Sequence, residues 1–157
     1  MKKVIITQSN YIPWKGYFDS IRHADEFVML DDVQYTKRDW RNRNKIKSPN
    51  GIMWLTIPVE VRGKFTQSIK DTRIADPDWA KKHWKTIQLN YGKAKYFKQY
   101  SGFLENLYGN ARSEWLTEIN HQFIKAICAQ LDIDTVIRYS SEFQLLNDPT
   151  TRLVEIC

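Results

Sequence analysis

The sequence predicts an α/β fold: a Rossmann-like βαβ N-terminal unit with a mixed sheet, followed by a helical region. Two short apolar segments, 2–8 and 26–33, flank an amphipathic stretch, the spacing of a parallel strand–helix–strand unit. From residue 76 the apolar period changes from two to about 3.6. A chain of 157 residues with 42% hydrophobic content suits one core. We expect a single α/β domain over 1–157, divided into a site-bearing sheet region (1–75), a helical region (76–133), and a strand with the start of a helix (134–157).

Composition narrows the class of protein. With 27% charged residues and a mean hydropathy of −0.56, the chain does not resemble an integral membrane protein. The N-terminal apolar run at 4–6 is too short for a signal peptide or a membrane span, so we predict a soluble, cytoplasmic protein without membrane insertion. Cys128 and Cys157 lack metal or disulfide spacing, and the three isolated histidines predict no zinc site.

The first elements follow in the order strand, helix, strand. Residues 2–8 are β-branched and short, which favours a strand. Pro13 suits a helix start, and the aromatic residues after it recur at helical spacing through Ile21. Residues 26–33 predict a second buried strand that ends in two carboxylates.

The middle of the chain predicts further strands around a basic loop. The basic run at 37–47 is closed by a turn at 48–51, Ser-Pro-Asn-Gly. Residues 52–61 are the clearest strand, although Pro58 indicates an edge or bulge position. Residues 68–74 predict a weaker antiparallel or edge strand.

Helices dominate the rest of the chain. One is capped by Asp76 and Pro77 and ends at Gly92, a second covers about 95–108, and a third covers 113–131 with apolar residues every four positions. A strand is expected at 134–139. Pro149 opens a last amphipathic helix that still runs at residue 157, so we expect the full protein to continue into a further C-terminal part.

The loop after the first strand is the first candidate site. Ligands of open parallel sheets bind beyond the carboxyl ends of the strands, near helix N-termini. Gln8, Asn10 and Tyr11 could hydrogen-bond a ligand, while Trp14 could stack on a sugar or base, with Tyr17 beside it. The alternative is that the aromatic residues pack in the core and Asn10 is a turn residue.

Asp31 and Asp32 are the candidate catalytic residues. Alternation along a strand turns adjacent side chains to opposite faces, so only one of them easily faces a site. That carboxylate could act as a base, hold a sugar hydroxyl or bind a divalent cation such as Mg²⁺. The alternative is a solvated charge beside a carboxylate paired with an arginine.

The basic run predicts a binding site for an anionic ligand. Guanidinium groups bind phosphate in bidentate geometry, and indole rings stack on bases or sugars. The candidate binding residues here are Lys37, Arg38, Trp40, Arg41, Asn42, Arg43 and Lys45. A nucleic acid is less economical than one phosphorylated small molecule, because the charge forms one compact loop and the later helices carry mixed signs.

Three motifs in this order resemble the WbqC-like family of bacterial proteins: QSNYIPWKGYFDSI, EFVMLDDVQYTKRDWRNRNKIK and WLTIPV. Many members of that family have a histidine and a proline flanking the first glutamine, where this chain has Thr7 and Ser9. A catalytic role of that histidine in the relatives would therefore not carry over.

The resemblance implies an association with O-antigen and other surface-polysaccharide biosynthesis. It suggests an enzyme, a transferase of an aminoacyl, acyl or related group onto a nucleotide-linked or lipid-linked amino sugar. Its ligand would be a sugar nucleotide or a carrier-linked sugar. A non-catalytic scaffold and a nucleic-acid-binding domain remain the alternatives.

Overall fold

A computed structural model of the chain describes residues 2–144 and 148–156. The strands are β1 (Val4–Thr7), β2 (Glu26–Met29), β3 (Arg43–Ser48), β4 (Gly51–Thr56) and β5 (Val136–Tyr139). The helices are α1 (Lys15–His23), α2 (Trp79–Tyr91), α3 (Phe97–Gly109), α4 (Leu116–Gln130) and α5 (Pro149–Ile156), with a 3₁₀ turn at Ser140–Glu142.

A three-stranded parallel sheet carries β2 in its centre, in the order β1-β2-β5. Thr7 pairs with Met29, and Met29 pairs with Tyr139, so all three strands end at the same edge. Every residue of β2 is buried, as expected of the central strand of a parallel sheet. The α/β class and the parallel β1-α1-β2 unit are confirmed. Three strands in this order do not by themselves establish a Rossmann arrangement.

The antiparallel strands form a separate sheet, so the single mixed sheet that we expected is absent from the described residues. β3 and β4 pair as a hairpin across the predicted turn, with Lys45 opposite Trp54. The prediction of one compact basic loop was wrong for its second half, because Arg43–Ser48 is strand β3. Polar strands of this kind lack the apolar alternation that identifies a strand in a sequence.

The strand predicted at 52–61 is shorter than expected. β4 ends at Thr56, two residues before Pro58, which has no N–H to donate to a ladder. Beyond it Val59 forms only an isolated bridge with Ile74, and the predicted strand at 68–74 is reduced to such bridges.

The four predicted helices after residue 76 are all present. The predicted cap of α2 was wrong by two residues, because Asp78 is the residue before the helix. The backbone N–H of Asp78 donates a 3.0 Å hydrogen bond to Asp76 Oδ1. Gly92 is the C-terminal cap of α2. The four-residue spacing predicted for α4 fails at its ends, since Trp115 is the residue before the helix and Leu131 is exposed.

Helix α4 is fixed by two hydrophobic clusters. Phe123 packs with Tyr11, Trp79 and Tyr108 in a cluster that also involves α2 and α3. The next residue, Ile124, packs in a second cluster between α1 and β2. Buried, unpaired Cys128 belongs to the same second cluster. Helix α4 is thereby held against the parallel sheet, with its N-terminal half near the edge where the strands end.

Within the described ranges, no helix is long and apolar enough to cross a membrane.

Candidate functional site

Polar side chains meet at the edge where β1, β2 and β5 end. They come from the three strand ends, from α4 and from the loop before β3. We name this group the sheet-edge cluster, and its members are Gln8, Ser9, Asn10, Asp31, Asp32, Arg41, Thr117, Asn120, His121 and Ser140.

Asp31 lies at the centre of the sheet-edge cluster and is buried. Its Oδ1 accepts a 2.9 Å hydrogen bond from the backbone N–H of Ser9, and its Oδ2 accepts from Thr117 Oγ1 and, at 2.9 Å, from His121 Nε2. Burial by itself raises the pKa of this carboxyl. The hydrogen bonds from His121, Thr117 and Ser9 and the attraction of the imidazolium form outweigh it, and the pKa is lowered overall. Asp31 is therefore an ionised acceptor.

His121 projects from α4 between Asp31 and the aromatic ring of Tyr139. The two rings stack with centroids 4.4 Å apart and an interplanar angle of 24°. Nε2 donates to Asp31, and no residue in the described part of the chain is hydrogen-bonded to Nδ1. The side chain is 19% exposed, so solvent reaches the ring. An imidazole fixed on one nitrogen and open on the other is suited to accept a proton.

Asp32 has different hydrogen-bond partners from Asp31. Lys70 Nζ and Ser140 Oγ both donate to its carboxylate, and the backbone N–H of Asp31 donates to Ser140 Oγ at 3.2 Å. The sequence allowed an arginine partner; the structure supplies a lysine from a segment 38 residues away. Ser140, at the end of β5, thereby links both aspartates.

Arg41 is the residue of the basic run that joins the sheet-edge cluster. Its guanidinium donates to Asn10 Oδ1 and, at 2.9 Å, to Gln8 Oε1, and Asp39 lies 3.6 Å away. The amide of Asn120 donates to the carbonyl of Arg41 at 2.9 Å and to Ser9 Oγ at 3.1 Å. The loop before β3 is thus tied to both α4 and the end of β1.

The other predicted basic residues lie on the hairpin and its leading loop. Trp40 and Trp54 place their ring centroids 5.4 Å apart, with Arg43 at 4.1 Å and Lys45 at 4.8 Å from the Trp54 ring. We name these four residues the tryptophan platform. The expected single clamp is therefore divided, with Arg41 at the sheet edge and Arg43 and Lys45 on the hairpin.

Three further predicted binding residues of the basic run are not members of the platform. Lys37 places its ammonium 4.9 Å from the ring of Phe65. Arg38 has a φ of 60° and accepts a hydrogen bond from Arg43 through its carbonyl. Asn42 is buried and donates to the carbonyl of Ile57 at 2.8 Å, which makes it a link between the hairpin and the core.

The aromatic residues of the first loop have three different positions. Tyr11 is buried in the core, where its hydroxyl bonds His83 Nδ1 and Tyr108. Trp14 is 71% exposed, and its ring lies over Gly16, where a Cβ atom would collide with it. Tyr17 is buried beneath the sheet-edge cluster and donates to the carbonyl of Gln8 at 3.0 Å. Burial raises the pKa of Tyr17.

The sheet-edge cluster does not fit a divalent cation. Asp31 and Asp32 direct their oxygens at hydrogen-bond donors, one of them a lysine ammonium. Across 2–144 and 148–156 there is no group of three or more His, Cys, Asp or Glu residues that could hold a metal ion. The sheet-edge cluster therefore lacks the set of ligands that the possible Mg²⁺ site at Asp31 or Asp32 would need.

Comparison with known proteins places the chain in a family. The model of the WbqC-like protein family matches residues 8–157. The chain belongs to the WbqC-like family. It is also 46% identical over 157 residues to the protein named "Uncharacterized protein Rv1507c" of Mycobacterium tuberculosis (strain ATCC 25618 / H37Rv), an alignment that covers all of this chain and 68% of that protein. No solved structure matches the chain.

Sequence reasoning missed five members of the sheet-edge cluster in this WbqC-like chain: Ser9, Thr117, Asn120, His121 and Ser140. A signal for three of them exists, because positions 117, 120 and 121 form a polar i, i+3, i+4 stripe beside the apolar face of α4. Treating each histidine as isolated hid this stripe. The histidine partner of Asp31 lies 90 residues away in the chain, so no local spacing reveals it.

Proposed function

We propose that this WbqC-like chain is a transferase of bacterial surface-polysaccharide biosynthesis of the O-antigen type. In this proposal it places an acyl or aminoacyl group on a nucleotide-linked or lipid-linked amino sugar. The observation that supports this proposal most is the 2.9 Å hydrogen bond between His121 Nε2 and Asp31 Oδ2. The pair lies at an edge of the sheet that is accessible to solvent. A carboxylate-oriented imidazole is the arrangement that acyl transfer needs for proton removal.

His121 acts as the general base in the proposed reaction. The amine of the acceptor sugar attacks the carbonyl carbon of an activated acyl donor, forming a C–N bond. Nδ1 of His121 takes one proton from that nitrogen, the bond from the acyl carbon to its leaving group breaks, and the imidazolium returns the proton to the leaving group. Asp31 touches no reacting atom in this scheme; it positions His121 and stabilises its protonated form.

The tryptophan platform supplies the binding site for the phosphorylated carrier. Indole rings stack on bases, and the Arg43 and Lys45 cations oppose phosphate charge. Trp40 on the platform and Arg41 in the sheet-edge cluster are consecutive residues, so their Cα atoms are about 3.8 Å apart. A ligand that spans the two groups would place its nucleotide on the hairpin and its sugar toward His121.

A transfer assay with a matched histidine control tests the proposal. The wild-type chain is incubated with nucleotide-linked amino sugars and activated acyl or aminoacyl donors, and the mass gain of the sugar is followed. His121→Gln should abolish the gain, whereas His23→Gln, which changes a histidine on the exposed side of α1, should retain it. Equal transfer by both variants would refute the role of His121. If the wild type shows neither transfer nor thermal stabilisation by these ligands, the proposed transferase function would be refuted.

The platform also favours a second candidate, a module that binds single-stranded nucleic acid, because such modules combine stacking rings with cations. Binding to long single strands with an affinity that falls steeply with salt would support that candidate. Binding of a mononucleotide-linked sugar with little preference for longer strands would support the transferase.

A further inference from the structure

A mostly apolar cavity lies between the hairpin and helices α2 and α3, away from the sheet-edge cluster. Its volume is 380 Å³, within the roughly 300–1,000 Å³ range of small-molecule sites. Side chains from the first loop, both hairpin strands and both helices form its wall. The main apolar members are Ile12, Ile46, Leu55, Ile87, Phe97 and Leu104. We name it the helix–hairpin cavity.

The polar groups of the helix–hairpin cavity are few and of one sign. Lys45 and Lys95 are its charged lining residues, but the ammonium of Lys45 lies 4.8 Å from the Trp54 ring on the platform, so Lys95 supplies the charge of the cavity. No carboxylate lines the cavity among the described residues. Asn44 directs its amide to the carbonyl of Ile12, and the hydroxyl of Tyr91 accepts a 3.0 Å hydrogen bond from the backbone N–H of Lys47. The remaining lining is therefore suited to an apolar ligand with an anionic end.

The mouth of the cavity is built from exposed aromatic residues. Tyr96 and Tyr100 are both exposed, and Lys95 holds its ammonium 5.0 Å from the ring of Tyr96. Aromatic side chains with a polar tip are suited to a boundary between an apolar interior and water. The ammonium of Lys95 is thus positioned where the head group of a chain-like ligand would emerge.

The wall also contains a strained residue. Ile12 has a φ of 45°, a conformation that β-branched residues rarely adopt and that the following Pro13 disfavours further. The hydrogen bond from Asn44 to its carbonyl holds it there. Strain of this type concentrates at ligand sites and switch regions.

We propose that the helix–hairpin cavity binds a small anionic amphiphile, a ligand with one unbranched alkyl chain and a terminal carboxylate or phosphate. The chain occupies the apolar interior, and Lys95 opposes the head group. This site is independent of His121 and of the transferase proposal.

Calorimetric titration with four probes tests the site on the whole chain. Decanoate and decyl phosphate, used below their micelle concentrations, should bind one molecule per chain. Decanol should bind more weakly because it lacks the charge, and inorganic phosphate should not bind measurably. Tighter binding of decyl phosphate than of decanoate identifies a phosphate head, and the reverse identifies a carboxylate. Binding of inorganic phosphate as tight as that of decyl phosphate would overturn the proposal.

Three variants locate the binding. Ala94→Trp fills the mouth and should abolish binding of both anionic probes. Lys95→Gln should weaken them about two-fold to five-fold, the size of one exposed charge pair, and leave decanol unchanged. The matched control is Lys93→Gln, a lysine of the same segment that does not line the cavity, and it should bind like the wild type. Equal weakening by the control would overturn the assignment.

Photolabelling gives a readout that does not depend on a folded variant. A decanoate analogue with a diazirine at the chain end should label peptides containing Ile46, Leu55 or residues 87–104. Labelling confined to other peptides would refute the site. Light scattering of the unliganded chain tests the other occupant. A stable dimer that Ala94→Trp dissociates and decanoate does not would assign the cavity to a second copy of the chain and overturn the proposal.

Discussion

His121 and His83 are both hydrogen-bonded histidines, yet their surroundings differ in every respect that matters for chemistry. His83 is buried, with Nδ1 bonded to the Tyr11 hydroxyl at 2.9 Å and Nε2 to the Thr56 carbonyl at 3.1 Å. A carbonyl only accepts, so Nε2 carries the proton and Nδ1 accepts from Tyr11. His121 has a carboxylate on one nitrogen and solvent access on its ring.

The comparison separates a structural histidine from one that can exchange a proton. Burial lowers the pKa of His83, outweighing the Thr56 hydrogen bond and the nearby Asp76 charge, which raise it. The neutral form of His83 is therefore favoured, and both of its nitrogens are occupied within the core. A hydrogen-bonded histidine is a candidate for chemistry only when one nitrogen remains open to a substrate.

The largest expected effect is on transfer activity. His121→Ala should lower kcat/KM by about 10²–10⁴-fold, the usual contribution of a general base. Asp31→Asn should lower kcat with little change in KM and shift the pH–rate profile, because it loses the charge that stabilises the imidazolium. Steady-state kinetics over pH 5–9 measures both. A rise in KM with kcat unchanged would assign the pair to substrate binding.

The next largest effect is expected on stability, from substitution of His83. His83→Ala should lower the free energy of unfolding by about 3 kcal/mol, because it opens a cavity and removes the partner of the Thr56 carbonyl and one of the two partners of the Tyr11 hydroxyl. Urea denaturation measures the change. His121→Ala should cost less, since that ring is partly exposed and buried Asp31 keeps its hydrogen bonds from Ser9 and Thr117. Equal losses would contradict the division between the two histidines.

The two regions should also respond to acid in different windows. Because the folded-state pKa of His83 is lowered, the unfolded chain binds more protons once pH falls below the ordinary value of about 6.5. Stability should therefore decrease between pH 7 and 5 with a slope of up to about 1.4 kcal/mol per pH unit. His83→Gln should flatten this slope in urea denaturation at each pH, and an unchanged slope would assign it to other groups.

The contribution of Asp31 to stability should change at lower pH. Its pKa is lowered in the folded state, so its stabilising contribution is complete above the unfolded value of about 3.9 and is lost as pH falls through the folded pKa. The stability difference between the wild type and Asp31→Asn should thus shrink as pH falls from 5 toward 3. A difference that persists at pH 3 would mean that packing, not charge, is lost in the variant.

The smallest expected effect concerns the second aspartate. Lys70→Gln removes the ammonium that donates to Asp32, but the lysine is half exposed, and such pairs contribute only about 0.2–1 kcal/mol. Thermal unfolding at low and high salt measures this loss. A loss well above that range would show that Lys70 organises the sheet edge together with Ser140.

The sequence was sufficient to predict those helices and strands that depend on a local pattern of apolar residues. The apolar period identified α2 to α4, and the spacing of two β-branched segments identified the parallel β1-α1-β2 unit. Strand β3 was not identifiable, because its residues are mainly polar and its stability comes from the β4 partner and from Arg43 and Lys45 against Trp54.

The candidate site was predictable only in part for the same reason. The expected strand ends pointed to Asp31, Asp32 and the first loop, and Asp31, Asp32, Gln8 and Asn10 do lie at the sheet edge. The contacts of Asp31 with α4 and of Asp32 with Lys70 depend on tertiary packing, which no short window of sequence contains. Tyr11 was ambiguous because an aromatic residue with a polar tip is equally suited to a site and to a hydrogen-bonded core.

The sheet-edge cluster also determines when during folding the site can exist. Its bonds join Ser9 to Asn120 across 111 positions and Asp31 to Ser140 across 109. Closing such long loops is entropically unfavourable until many other contacts are in place, so contacts of high sequence separation form slowly. A nascent chain released before residue 140 would already contain both aspartates but lack the strand end that joins them. We therefore expect the Asp31–His121 pair, which joins residues 90 positions apart, to form late in folding and to report its completion.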